Sequence, residues 1–145
     1  MITQTTSTPY NITMKPSAPC PCGSGNSLEE CCKPYISGDD YAPTAEKLMR
    51  SRYTAYVLSN EDYLLASWHE SSRPTHLNLE HQAKWLGLKI VAVEAGQQLD
   101  TEGTVEFVAR YKIAGKAHRL SEKSRFLKQN GRWFYLDGLV SDLIC

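Results

Sequence analysis

The spacing of apolar residues changes once along this chain, and the change divides it into a helical part and a sheet part. From Ala45 the large apolar groups recur at helical intervals, as Ala45, Leu48, Met49, Tyr53, Tyr56 and Val57. Thr44 is a good helix cap, and Glu46 suits the positive end of the helix dipole, so a helix is predicted to open at Thr44. Asn60-Glu61-Asp62 predicts the start of a second short helix, Tyr63 to Trp68. After Arg73-Pro74 the chain reads as a loop, and then as a third short helix from Leu79 to Leu86, ended by Gly87. From Leu88 the period is two. Leu88 to Ala95 reads as a strand. Val105, Phe107, Ala109, Tyr111 and Ile113 alternate with polar partners in a second strand. Ala114-Gly115-Lys116 predicts a hairpin turn, His118 to Lys128 a third strand, Asn130-Gly131 a tight turn, and Arg132 to Asp137 a fourth strand. Helices followed by a meander imply an α+β fold, with the helices packed on one face of a curved antiparallel sheet.

The segment before the first helix follows neither period. Residues 1–19 are rich in Thr, Ser and Pro with few large apolar groups, and read as disordered. Residues 34–43, with Gly38-Asp39-Asp40, read as a linker. Between them, Cys20, Cys22, Cys31 and Cys32 fall within thirteen residues as C-x-C-x8-C-C. Four thiolates this close can be drawn onto one tetrahedral ion, for which Zn²⁺ is the usual occupant, and a closed four-sulfur site is structural. Disulfides across the two pairs, or free thiols, are the alternatives. The knuckle, residues 20–34, has only Leu28 as a large aliphatic group within the cysteine loop, so its shape is expected to depend on the metal. Residues 41–145 carry their own helix stripe and sheet and read as a separate domain.

Composition narrows the function classes. Among 145 residues the formal net charge is zero, which argues against a nucleic-acid binder. The basic residues from Lys112 to Lys128 alternate with apolar ones and read as a solvated sheet face. No apolar run is long enough to cross a bilayer, and the N-terminus lacks a signal peptide's apolar centre, so a cytoplasmic location is expected.

The run CPCGSG followed by CC resembles the SEC-C motif, the zinc-binding tail of the SecA translocation ATPase. Its fourth ligand, often His there, is Cys32 here, and Asn26-Ser27-Leu28-Glu29-Glu30 replaces a lysine-rich loop. The helices-then-meander order resembles the cone-shaped fold of nuclear transport factor two. Together with Leu48-Met49-Arg50-Ser51-Arg52-Tyr53, Trp68-His69, Arg73-Pro74, Trp85-Leu86-Gly87-Leu88, Ser124-Arg125-Phe126, Gly131-Arg132-Trp133 and Asp137-Gly138, the chain is similar to the YchJ family over residues 20 to about 140. The resemblance implies a zinc knuckle joined to a cone domain whose interior can enclose a pocket, and it implies no settled activity.

Several polar residues are candidates for such a pocket. Arg52 sits within the apolar stripe of the first helix, so it either reaches out to solvent, pairs with a carboxylate, or meets a ligand. Glu122 shares strand parity with Leu120, Ser124 and Phe126 and is its candidate partner. His69 is a candidate general base and Arg73 an anion clamp; Tyr53 and Trp68 complete the set. Trp85 and Trp133 read as core. No HExxH, GxSxG or phosphate loop is present in the sequence. The leading reading is a non-enzymatic zinc adaptor with a protein partner. A small cone-fold isomerase, dehydratase or ligand-binding protein is the alternative, and a translocation-machinery or ribosome binder is weakened by Glu29-Glu30.

Overall fold

A computed structural model describes residues 15–77, 79 and 83–141. Helix α1 spans Lys33–Ile36, α2 Ala45–Val57 and α3 Glu61–Ala66, and four strands follow: β1 Lys84–Ala95, β2 Glu102–Ile113, β3 Lys116–Gln129 and β4 Arg132–Ser141. The strands form one antiparallel sheet in the order β1-β2-β3-β4. The fold class expected from the spacing is the one observed.

Local chemistry accounts for the boundaries. Thr44 Oγ1 accepts the Lys47 amide at 3.1 Å and starts α2, and Asn60 Oδ1 accepts the Tyr63 amide at 3.0 Å and starts α3. Helix α3 ends at Ala66, earlier than the expected Trp68, because the chain turns to run beside β4. Trp68 forms a parallel bridge with Tyr135, the Tyr135 amide donates to Ser67 O at 2.9 Å, and the His69 amide donates to Tyr135 O at 2.7 Å. Both tight hairpins place two residues at positive φ: Ala114 (52°) with Gly115 (78°), and Asn130 (54°) with Gly131 (78°). That is the turn whose twist matches the flanking strands.

The expected third helix is not formed by its described C-terminal residues. Lys84 to Leu86 belong to β1, while residues 80–82 of that prediction lie outside the described set. Strand β1 skips a register position between Trp85 and Gly87 and again between Ile90 and Ala92. Leu86 and Val91 are the unpaired residues, and both are exposed, at 47% and 51%. Each bulge resets the alternation. Trp85, Leu88, Ile90 and Val93 therefore lie opposite Tyr111, Ala109, Phe107 and Val105, and all four pack against the buried core.

Helix α2 lies on the concave face of this sheet and buries Ala45, Leu48, Met49 and Tyr53, together with the polar Ser51, Arg52 and Thr54. Trp133 is fully buried, and its Nε1 donates to Pro43 O at 3.1 Å, which fastens β4 to the entry of α2. On the other face, Lys112, Arg119, Lys123 and Arg125 are exposed, as expected of a solvated sheet face, but Lys116 lies opposite Ile113 and Lys128 opposite the buried Trp133, on the parity that faces the helices.

The segment before α2 is more ordered than its composition implies. Residues 1–14 lie outside the described set, but 15–19 are folded onto the knuckle. Pro19 bridges Ser27, and the Leu28 amide donates to Ala18 O at 2.8 Å. The expected linker begins with α1, in which Pro34 occupies a first-turn position where its missing amide costs nothing. Cys20, Cys22, Leu28 and Cys32 join the same buried cluster as α2 and the sheet.

Candidate metal centre and the cone cavity

Cys20 and Cys22 stand at the start of a glycine-containing loop, and Cys31 and Cys32 lie between the 3-10 turn Leu28–Glu30 and α1. The four sulfurs all lie within 4.8 Å of one another. The Cys22–Cys31 separation is 3.6 Å and the Cys31–Cys32 separation 3.8 Å. No two of them are bonded. Four sulfurs held about 2.3 Å from a central ion form a tetrahedron with edges of about 3.8 Å. The cluster fits a four-coordinate thiolate site and can hold a metal ion.

The surroundings are suited to thiolates. The Ser24 hydroxyl is 3.1 Å from Cys31 Sγ, and Thr54 Oγ1 is 3.4 Å from Cys32 Sγ and 3.6 Å from Cys20 Sγ. Arg50 Nη1 donates to Cys22 O at 2.8 Å and lies 3.8 Å from its sulfur, while Arg50 Nε is paired with Glu46 at 3.0 Å. Donors of this kind orient ligating groups and steady their charge. The Cys20 and Cys32 thiols, followed by Ser24 and Cys31, hold Cys22 well below the usual thiol range, against the effect of its burial. Burial pushes Cys31 up to about 11. Metal binding therefore has to displace protons from this cluster. The sequence reading assigns no role in the metal centre to Arg50 or Thr54. Their signal was a pair of polar residues four apart, on the side of α2 that meets the knuckle.

The second feature is a cavity of about 200 Å³ between α2 and the sheet. Four of the candidate residues, Arg52, Tyr53, Trp68 and Glu122, line it. Arg52 is 4% exposed and is not ion-paired to Glu122, which corrects the expected contact. Its Nη1 donates to Leu64 O at 2.8 Å and Ser67 Oγ at 2.7 Å, and its guanidinium lies 4.4 Å from the Tyr135 ring and 5.1 Å from Trp68. The last turn of α3 captures the cation before the carboxylate can. Burial pushes the Arg52 pKa down, and the neighbouring Tyr56, Tyr135, Tyr63 and Glu122 oppose that shift.

Glu122 Oε2 accepts the Ser124 hydroxyl at 2.7 Å and the Tyr135 hydroxyl at 3.1 Å. Burial, followed by the Glu122 charge, pushes the Tyr135 phenol up, so it stays a donor. The carboxylate packs over Gly138, where an added Cβ would lie 2.6 Å from Glu122 Cδ. His69 and Arg73 are not among the cavity's lining residues. His69 Nδ1 accepts the Ser71 amide at 3.1 Å and sits 2.7 Å from its hydroxyl, while Nε2 is 2.7 Å from Gln129 Oε1. Arg73 donates twice to Trp68 O, at 3.0 and 2.9 Å. Both residues secure the turn after α3, which removes the geometric support for His69 as a base acting in the cavity.

Residues 44–138 match the domain described as "YchJ, middle NTF2-like domain". The chain is 56% identical over 128 residues to a UPF0225 protein of Chromobacterium violaceum, a match covering 86% of this chain and 94% of that one. It is 51% identical to a UPF0225 protein of Bordetella pertussis, with 85% and 95% covered. Its fold is similar to the solution structure of a SEC-C motif containing protein from Rhodopseudomonas palustris, with a TM-score of 0.73, 32% identity, and 85% and 98% of the two chains covered. It is also similar to the crystal structure of a SEC-C motif containing protein from Psychrobacter arcticus, with a TM-score of 0.71, 27% identity, and 91% and 88% covered. A cysteine knuckle of tetrahedral dimensions, seated on a helix-and-meander cone, therefore marks this chain as a member of the YchJ family.

Proposed function

We propose that the protein is a non-enzymatic zinc protein of a reducing compartment, the cytoplasm, acting as an adaptor for a protein partner. The observation that carries this is the closure of the four-sulfur cluster: with every tetrahedral position taken by a cysteine, a Zn²⁺ there has no open site for water or substrate. Thiols that must stay free to ligate suit reducing surroundings. Among the described residues no helix is long and apolar enough to cross a membrane. Four thiolates on Zn²⁺ carry a net charge of −2, and the Arg50 guanidinium offsets part of it. The metal thereby fixes a polar groove where the knuckle meets α2, bordered by Ser24, Glu30, Glu46, Lys47 and Gln97. That groove is the surface offered to the partner.

The test has two readouts. Elemental analysis of protein purified under reducing conditions should find close to one Zn²⁺ per chain. Chelation should lower the thermal midpoint of the whole cooperative transition, because the knuckle shares the core of the cone. Protein lacking zinc and unable to take it up, or a melt unaltered by chelation, would refute the structural-metal reading. Lys47→Glu tests the groove: it should weaken capture of the partner by zinc-loaded protein without altering the melt.

A further inference from the structure

The convex face of the sheet, turned away from the helices, treats its charges differently in its two halves. In the half remote from the β2–β3 turn they are paired: Lys123 lies 3.6 Å from Glu94, and Arg125 2.6 Å from Asp137. The half beside that turn carries five exposed cations, Lys84, Lys89, Arg110, Lys112 and Arg119, and its rows hold no acidic residue. None of the five has an ion-pair partner among the described residues. Lys84 stands directly opposite Lys112, and Arg110 directly opposite Arg119. Like charges in that position oppose strand pairing, and an anion laid over them would relieve both pairs. Side chains on one face recur about every 7 Å along a strand and about every 4.8 Å across strands. Neighbouring cations are thus within a Debye length of about 8–10 Å and act as one patch. The zero net charge of the whole chain averages this patch away.

The other residues of the same half select the kind of anion. Leu86 and Val91, the two bulged residues, are exposed, and each bulge sets two residues against one on β2. Leu86 therefore stands beside Arg110, within the patch, and Val91 at its border. The rows of this half offer no aromatic ring and no side-chain amide, so they lack both a stacking platform and a reader of base edges. A nucleic acid would meet bare aliphatic groups there. A bilayer interface accommodates both kinds of group, with phosphates for the cations and the acyl boundary for the aliphatic side chains.

We infer that this half of the convex face docks on an anionic phospholipid surface, with Lys84, Lys89, Arg110, Lys112 and Arg119 on headgroup phosphates and Leu86 and Val91 at the edge of the acyl region. The contact is peripheral. It shares no residue with the groove beside the knuckle, so it does not depend on the adaptor reading.

The test uses the zinc-loaded full chain and co-sedimentation with vesicles of phosphatidylcholine containing about one-third phosphatidylglycerol, against vesicles of phosphatidylcholine alone. Binding should be saturable on the anionic vesicles only, and should be largely lost when salt is raised from about 0.05 M to about 0.5 M. Each cation near such a surface contributes about fivefold, so the Arg110→Gln, Arg119→Gln variant should bind at least about tenfold more weakly. Lys123→Gln, Arg125→Gln removes the same charge from the paired half and should cost less than about threefold. Leu86→Ser, Val91→Ser should weaken vesicle binding at least about threefold at unchanged net charge. Circular dichroism melts confirm that each variant folds, and if one does not, the lipid and salt comparisons on the natural chain decide. No binding to anionic vesicles, equal loss from the two double-Gln variants, or full affinity in folded Leu86→Ser, Val91→Ser protein would overturn the inference. Tighter binding to an RNA duplex than to the vesicles would equally overturn it.

Discussion

Replacing Arg52 tests how the cone domain tolerates a buried cation. In Arg52→Met two hydrogen bonds from a charged donor are lost, to Leu64 O and Ser67 Oγ, each worth about 1.5–3 kcal/mol. The cation–π contacts of the guanidinium with the Tyr135 and Trp68 rings are lost as well, about 2 kcal/mol for a desolvated cation. Against this, the natural chain carries the cost of burying a guanidinium with no carboxylate in contact, which is several kcal/mol. The net expected loss is about 2–4 kcal/mol, read as a lower midpoint in urea with an unchanged slope. The partner assignment is the sharper part. Because Arg52 is held by the end of α3, the Arg52→Met, Ser67→Ala cycle should show a coupling of about 1–2 kcal/mol. The Arg52→Met, Glu122→Gln cycle should show less than about 0.5 kcal/mol. A loss below about 1 kcal/mol in the single variant would refute the structural role. A larger coupling to Glu122 than to Ser67 would restore the ion pair that the geometry excludes.

Two further variants probe the neighbouring features. Thr54→Val removes the hydroxyl facing Cys20 and Cys32 without changing the side chain's shape; competition with a chromogenic chelator should show metal held about 10–100-fold more weakly, at near-natural helix content. Gly138→Ala places a methyl group against Glu122 and should cost about 1–3 kcal/mol in denaturant titration, with much of that recovered in a Gly138→Ala, Glu122→Ala double variant, and no recovery would mean that the strain lies in the backbone.

The legible parts of this fold were those that local rules determine. Asn130-Gly131 and Ala114-Gly115 announce hairpins because few residue pairs accept two positive φ angles in succession. The cysteine cluster was legible because spacing alone limits how far the sulfurs can separate. Strand β1 was misread at its start because Leu86 is bulged: an apolar residue outside the alternation imitates a helical interval, and only pairing with β2 shows that it faces solvent. The partner of Arg52 was misread for a different reason. Strand parity says which face Glu122 occupies, but not that Ser67 and the Leu64 carbonyl, brought over by α3, stand closer to the guanidinium. The contact between the knuckle and α2 had the weakest signal, since Arg50 and Thr54 resemble ordinary polar helix residues until the sulfurs lie against them.

The bridge between Trp68 and Tyr135 has a consequence for the order of events on the ribosome. The meander pairs each strand with its sequence neighbour, so the hairpins can close as soon as they emerge, at little cost in chain entropy. The stretch after α3 cannot. It must wait for β4, the last of the described strands to be made, before the Ser67 carbonyl finds the Tyr135 amide. Until then Arg52 lacks the Tyr135 ring that covers it and stays hydrated, and the cavity has no wall on that side. A nascent chain stalled before residue 135 would carry a cation in water where the finished protein has an interior, and its final dehydration would be tied to the arrival of a single tyrosine.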